Sequence, residues 1–213
     1  MGGDILSPDL TKADGYLNSE ETITAIEMLC ELYKNRGMEG FLPGSIPTSE
    51  GFAAGNYAMI VGGPWQFPQL EGEDSDFRIY TSLFPEGKAG SVQVLGGEDI
   101  VMFRNATLNE ERKEAAWEFM KFMTGEFAQT KMAEVGQIPV NKQAAESPVV
   151  KESRYLEIFL EQIETARARP PIPEWTQIDD IFSDYVMLAV VGKLSAEEAM
   201  NEAAQNIDKL LSN

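Results

Sequence analysis

Residues 55–70 read GNYAMIVGGPWQFPQL, an apolar run that passes into two glycines, a proline and a tryptophan. The composition of 57–61 predicts a strand after the Gly55-Asn56 turn. Pro64 suits the first position of a helical turn, because a backbone N–H is not needed there. The sequence therefore predicts that Trp65 stands on a short helix or tight turn at the C-terminal end of a strand.

The rest of the chain contains a few strand patterns and many helical ones. A glycine pair, Gly96-Gly97, again interrupts apolar strand-like residues. From Asn109 onward the apolar spacing is helical, and Ser195 with Glu198 predicts a capping box before the last helix. Further strands are predicted at 77–83, 92–95 and 100–103. The pattern of roughly four strands and seven or eight helices is typical of an α/β or α+β chain whose C-terminal half is almost wholly helical.

The charge of the chain is strongly negative. Its 213 residues include 17 Lys plus Arg against 35 Asp plus Glu, a formal net charge of −18. Nucleic acids and anionic membranes are bound through clustered cations, and no basic run accumulates anywhere in the sequence. Nucleic acid is therefore excluded as a partner, and the acidity favours solubility.

Several kinds of chemistry are excluded by composition and spacing. The chain has no histidine, which removes Ser-His and Cys-His nucleophile pairs. Its single cysteine, Cys30, lies within a helical apolar pattern and is predicted to be an inert thiol. Neither glycine pair belongs to a phosphate-binding motif, and no acidic loop has the spacing of a metal site. No cofactor and no metal are expected.

Two alternatives to a binding protein remain open at this point. Two carboxylates can hydrolyse a glycoside without histidine, so a histidine-free glycoside hydrolase fragment is one of them. The acidic pair Glu98-Asp99 is poorly suited to that role, because neighbouring residues on a strand point to opposite faces. The other alternative is a helical interaction or scaffold domain, in which Trp65 and Trp175 would be core residues.

Aromatic side chains beside chain breaks favour a binding function. Trp65 and Phe67 each adjoin a proline and Trp175 closely follows a Pro-rich segment, whereas Trp117 lies in mid-helix and is predicted to be core. Flat aromatic faces suit sugar rings, whose C–H groups pack on them while polar neighbours bind the hydroxyls.

The sequence resembles the extracellular solute-binding proteins of ABC sugar importers, of the maltose-binding type. The similarity is carried by several segments in family order over nearly the whole chain. These are Gly2-Gly-Asp-Ile5 with 16–21, Phe52-Ala-Ala-Gly-Asn-Tyr-Ala-Met-Ile-Val-Gly-Gly-Pro-Trp65, 114–124, Gly136-Gln-Ile-Pro-Val140 and the Pro-rich segment before Trp175.

This resemblance implies an α/β fold of the periplasmic-binding-protein type II, here its C-terminal lobe, with a small mixed sheet flanked by many helices. Residues 1–103 would form the α/β part of that lobe, 104–148 would belong to the N-terminal lobe of a full-length protein, and 149–213 would pack on the C-terminal lobe. The apolar face of 104–148 would then be exposed, which predicts self-association or a rearranged contact.

The implied function is the carbohydrate-binding, non-catalytic component of an importer, with a mono- or oligosaccharide and the ABC permease subunits as partners. The parent protein would be extracytoplasmic, periplasmic or anchored at the cell surface. The first residues of this chain show no signal-peptide pattern. The chain is expected to be a C-terminal portion that binds sugar weakly, with one wall of a cleft.

The resemblance also assigns ligand-binding residues. Trp65 matches the tryptophan that stacks on the sugar, and Phe67 matches an accessory aromatic. Gly96, Gly97 and Glu98 match a turn that lines the ligand. The remaining assignments are Gly63 in the Trp65 turn and, near a further ligand-facing aromatic position, Trp175 and Arg169.

Overall fold

The computed structural model describes residues 1–39, 42, 44–72, 78–104 and 109–212, and the side chains up to residue 70 and from 78 onward within those ranges. In these residues the chain forms helices α1 to α10, one 3₁₀ turn and two short strands. The helices are Glu20–Lys34, Thr48–Ala53, Phe67–Gly72, Glu110–Met123, Glu126–Glu134, Lys142–Ala145, Pro148–Lys151, Leu156–Ile163, Trp175–Val190 and Ala196–Leu211. The 3₁₀ turn is Pro64–Gln66, and the strands are β1 Val94–Leu95 and β2 Arg167–Ala168.

The chain divides into two compact units. Unit 1 comprises Met1–Pro47, Glu86–Gly90 and Ala168–Asn213, and unit 2 comprises Thr48–Pro85 and Ser91–Arg167. Among the described helices, none combines the length and the apolar composition that crossing a bilayer requires.

Unit 1 is built on helices α1, α9 and α10. Its fully buried side chains include Leu17, Ile178, Met200 and Ile207, and α10 contributes small residues that let α9 approach closely. The predicted capping box is confirmed, because Ser195 Oγ accepts from the Glu198 N–H and the Glu198 carboxylate accepts from the Ser195 N–H. The Ser195 N–H and the Ser195 hydroxyl both donate to the Glu198 carboxylate, which lowers the pKa of that carboxyl.

Cys30 lies on α1, partly buried against the core of unit 1. Burial, and to a smaller extent the charge of Glu27, raises the pKa of its thiol. The thiol is therefore protonated and unreactive near neutral pH, in line with its interpretation from sequence.

Unit 2 contains helices α2 to α8 around a smaller core. Ala133, Val150 and Leu156 are its buried centre, and Ile138, Val149, Tyr155 and Leu160 pack against them. Strand β1 pairs with β2, and the Arg167 N–H donates to the Gln93 carbonyl at 2.9 Å. The core of Ala133, Val150 and Leu156 holds α5, α7 and α8 together.

Three strand predictions are wrong within the described part of the chain. Residues 57–61, 78–83 and 100–103 form no ladder there, and Phe77, where one of these strands was predicted to begin, lies outside the described residues. Met59, Tyr80 and Phe103 are all largely exposed. A strand is defined by hydrogen bonds to a neighbouring strand, and apolar alternation cannot supply that neighbour.

The prediction that Trp117 is a core residue is also wrong. Its side chain on α4 is 53% exposed, and α4 has no buried residue. Phe119, Phe122 and Phe127 are exposed as well. Helical periodicity correctly predicted α4, but it could not show whether another element covers its apolar residues.

Candidate functional site: the Trp65 turn

The candidate site begins at a single 3₁₀ turn that carries Trp65. Gly63 is extended at φ −108° and ψ 167°. Pro64 is the first residue of the turn, where proline fits well because the backbone N–H of that position makes no hydrogen bond within the turn. The Gln66 N–H donates to the Gly63 carbonyl at 3.2 Å, and the Phe67 N–H donates to the Pro64 carbonyl. The turn runs directly into α3, so the prediction of a short helix or tight turn at Trp65 is confirmed.

The two glycines before Pro64 make room for the side chains that follow. A Cβ added to Gly63 would overlap the six-membered ring of Trp65, and one added to Gly62 would overlap the amide of Gln66. The Gln66 Nε2 donates to Ser49 Oγ at 2.9 Å. The Trp65 ring thus lies against the Gly63 backbone, while 59% of its side chain remains exposed. The glycine pair leaves the space that the Trp65 ring and the Gln66 amide occupy.

Phe67 has a different position from Trp65. Its side chain is only 8% exposed, and its ring stacks on Tyr155 with centroids 4.0 Å apart and planes 11° apart. The ring also meets Phe159 edge to face at 6.3 Å. Phe67 therefore anchors the turn to the residues of α8, and little of its ring is open to a ligand.

The segment that follows α5 packs against the Trp65 turn. Gly136, at φ +84°, follows α5, and a Cβ there would lie 2.6 Å from the Pro64 carbonyl oxygen. Both the left-handed backbone and the close approach require glycine at this position. The contact of Gly136 with the Trp65 turn was not predicted from the sequence.

The residues Gly96, Gly97 and Glu98 follow β1 in unit 2. All three are exposed, and a Cβ on either glycine would meet no atom within 4 Å. Their backbone is thus open on the surface of the same unit that carries the Trp65 turn.

Trp175 and Arg169 belong to unit 1. Trp175 begins α9 and packs, partly buried, against the core of that unit, where its buried Nε1 has no hydrogen-bond partner among the described residues. Arg169 is exposed. The structure therefore brings Gly63, Trp65 and Phe67 together at one turn of unit 2. Trp175 and Arg169 are instead residues of unit 1.

Comparison with known proteins identifies the class. The family model for bacterial extracellular solute-binding proteins matches residues 4–157. The chain belongs to this family, and the resemblance read from its sequence is confirmed. Members of the family are solute-binding proteins and act outside the cytoplasm.

Individual relatives agree with this assignment. A Brucella abortus (strain 2308) protein described as a binding protein is 27% identical over 162 residues, which cover 75% of this chain and 38% of the relative. An ABC transporter solute-binding protein of Thermotoga lettingae TMO, solved with α-D-tagatose, is 28% identical with a TM-score of 0.82, covering 99% of this chain and 53% of that one. The sugar-binding protein MalE of Xanthomonas citri is 19% identical with a TM-score of 0.80, covering 100% of this chain and 53% of that one.

These structures confirm the predicted fold class, a helix-rich portion of a periplasmic-binding-protein type II fold with a small sheet. The chain spans about half the length of the solved structures and a smaller share of the Brucella relative.

Proposed function

We propose that this chain carries one wall of the sugar-binding site of an ABC importer's extracellular receptor. The observation that carries the proposal is the Trp65 ring, held against Gly63 and more than half exposed. An exposed aromatic face on a fixed turn is the usual platform for a sugar ring, since apolar C–H groups pack on it and the hydroxyls stay in reach of polar groups. The relative solved with α-D-tagatose supports a sugar as the ligand class.

The polar contacts are proposed to come from the exposed turn after β1. The Glu98 carboxylate would accept from sugar hydroxyls, and the open backbone of Gly96 and Gly97 offers further N–H and C=O groups. Phe67 would contribute by anchoring the Trp65 turn. For Trp175 and Arg169, the ligand-binding role remains a prediction from the resemblance.

The rest of the proposal concerns the longer protein. The chain spans about half the length of its solved neighbours. It would therefore supply one wall of a two-lobed cleft. Residues 104–148 would then belong to the other lobe, with 1–103 and 149–213 forming the C-terminal lobe. The parent receptor would close on its ligand outside the cytoplasm and deliver it to the permease subunits.

The first prediction tests the ligand class against a hydrolase. Titration of the chain with tagatose, maltose and maltotriose, followed by ligand-observed nuclear magnetic resonance, should show weak binding in the millimolar range. Weak affinity is expected because one wall of a cleft makes only part of the contacts. Spectra taken after overnight incubation with maltotriose should show the sugar unchanged.

Appearance of shorter sugars in those spectra would support the glycoside hydrolase alternative. No response to any of the three sugars would favour the scaffold alternative, and micromolar or tighter binding would contradict the single-wall proposal. Chromogenic glycosides offer an independent control, since a receptor releases no dye.

A second prediction concerns self-association of the chain with another copy through the face of 104–148. In that segment Trp117, Phe119, Phe122, Phe127 and Val140 are exposed, and the rings of Phe122 and Phe127 form a tilted pair with centroids 6.3 Å apart. Phe119 and Phe122 share one side of α4, whereas Trp117 lies on its other side. Half-exposed aromatics offer on the order of 100 Å² each, so the three phenylalanines supply a large part of the several hundred Å² per partner that a modest interface buries.

Sedimentation velocity should therefore show dimers at tens of micromolar that are lost in Phe127→Glu. Leu32→Glu is the control, because it places the same charge on an exposed apolar position of α1 in unit 1. A monomer at every concentration up to several hundred micromolar would contradict self-association, and equal effects of the two variants would place the contact elsewhere.

A further inference from the structure

One face of helix α8 contacts two separate parts of unit 2. Tyr155, Phe159 and Gln162 are spaced by four and then three residues, so they lie along a single face of the helix and its N-cap. The two aromatic residues are at the beginning of this face, and Gln162 is near its end.

The aromatic part of the face holds the Trp65 turn. Phe67, two residues after Trp65, stacks on Tyr155 at 4.0 Å and meets Phe159 edge to face. Phe67 is buried and directly follows the 3₁₀ turn, as the first residue of α3. Its ring therefore holds the junction between the turn and α3 in place. The position of the exposed Trp65 ring thus depends on α8.

The Gln162 part of the face holds the segment that leads to β1. The Gln162 Oε1 accepts from the Phe84 N–H at 2.7 Å, and the Nε2 donates to the Ser91 carbonyl at 3.3 Å. Ser91 Oγ donates to the Phe84 carbonyl and lies 3.2 Å from the Gln162 Oε1. A second Nε2 contact, to Thr165 Oγ1 at 3.0 Å, holds the amide in this orientation.

The chain then passes from Ser91 to the polar turn within a few residues. The Gln93 carbonyl accepts from the Arg167 N–H at 2.9 Å, β1 covers Val94–Leu95, and Gly96 follows immediately. Gln162 and Arg167 therefore hold the beginning of this segment from the α8 side, whereas Gly96, Gly97 and Glu98 extend beyond it with open surroundings.

We propose that α8 is the platform that sets the spacing between the Trp65 ring and the Gly96–Glu98 turn, with Gln162 as the positioning residue for that turn. The inference rests on the proposed function, because it assigns Gln162 a part in sugar affinity without contact to the sugar. A side chain that makes hydrogen bonds to two backbone segments restricts both, and losing it leaves these backbone groups without their partner.

The test uses a distance and an affinity, each measured on the full chain. Spin labels at Gln69→Cys and Gly97→Cys, in a Cys30→Ser background, report the spacing between α3 and the polar turn by pulsed electron paramagnetic resonance. Gln69 is exposed on α3, and a Cβ on the exposed Gly97 would meet no atom within 4 Å. The parent should give one narrow distance distribution, and Gln162→Leu should broaden or shift it.

The control is Glu157→Leu, an exposed position on the opposite side of α8. It should leave the distribution unchanged. Ser91→Ala is a second variant that removes the Ser91 hydroxyl contacts but keeps the Phe84 bond to Gln162, and it should broaden the distribution less. In chains without labels, Gln162→Leu should weaken sugar binding about fivefold to tenfold, as expected for several lost hydrogen bonds of ordinary strength.

An unchanged distance distribution in Gln162→Leu would overturn the inference, whether or not sugar binds. A broadened distribution with unchanged affinity would also overturn it, because the spacing would then not matter for the ligand. If the parent chain bound no sugar, the proposed function would fail, and the distance measurement alone would still decide whether α8 sets the spacing.

Discussion

Met200→Ala should lower the free energy of unfolding of unit 1 by about 2–5 kcal/mol, the range for truncating a buried methionine. Met200 lies on α10 with none of its side chain exposed, among Ile178, Ala203 and Ile207. The core cluster that contains Met200 is formed largely by the packed helices α1, α9 and α10, which cannot collapse easily into the vacated space. The loss therefore combines the transfer of the removed atoms with the cost of a cavity.

The matched control is Met28→Ala on α1, where the same side chain is 46% exposed in the same unit. That change should alter stability by no more than about 0.5 kcal/mol. Urea unfolding followed by circular dichroism measures both, and if the two units unfold separately, only the transition of unit 1 should move. Equal effects of the two substitutions would show that α10 does not form the core of unit 1.

The long helices could be predicted because their signals are local. The Ser195–Glu198 capping box and the apolar spacing of α9 and α10 lie within a few residues of each other. For α1, Asn18 and Glu21 have the spacing of a capping box in the sequence, which places the N-cap one residue too early. Ser19 is the N-cap in the structure, and Asn18 instead accepts from the Gly15 N–H and donates to Asn201. Asn201 is on α10, so this competing contact was invisible to a local reading of the sequence.

The strands could not be predicted in the same way. Residues 57–61 have a suitable composition, but a strand exists only when a second segment supplies its hydrogen bonds. In the described part of the chain β1 and β2 alone pair as strands, over two residues each. The sequence around one strand carries little information about a pairing strand that lies far away in the chain.

The candidate site was predicted in part. The sequence predicted a short helix or tight turn at Trp65, and the structure adds that a Cβ on Gly63 would overlap the Trp65 ring. The anchoring of Phe67 by Tyr155 was not predicted, because it joins residues far apart in the chain. The spacing of Tyr155, Ile158, Phe159 and Ile163 in the sequence indicates an apolar helix face, but not what packs on it.

Trp65→Ala should abolish detectable sugar binding or weaken it at least tenfold. Removing an exposed aromatic platform eliminates the stacking surface, and such residues commonly contribute more than about 1.4 kcal/mol to a carbohydrate or protein contact. The change should cost the fold little, since more than half of the side chain is already in solvent and the turn keeps Pro64 and Phe67. A loss of affinity without a loss of stability is therefore expected.

Trp117→Ala provides the matched control, because Trp117 is exposed to a similar degree, 53% against 59%, on α4 of the same unit. The most direct measurement is a ligand-observed magnetic resonance titration of tagatose and maltose with the parent chain and these two variants. The proposal predicts that the parent and Trp117→Ala bind at least one of these sugars equally and that Trp65→Ala does not. Equal binding by Trp65→Ala and the parent would contradict the assignment of Trp65 as the sugar-binding wall.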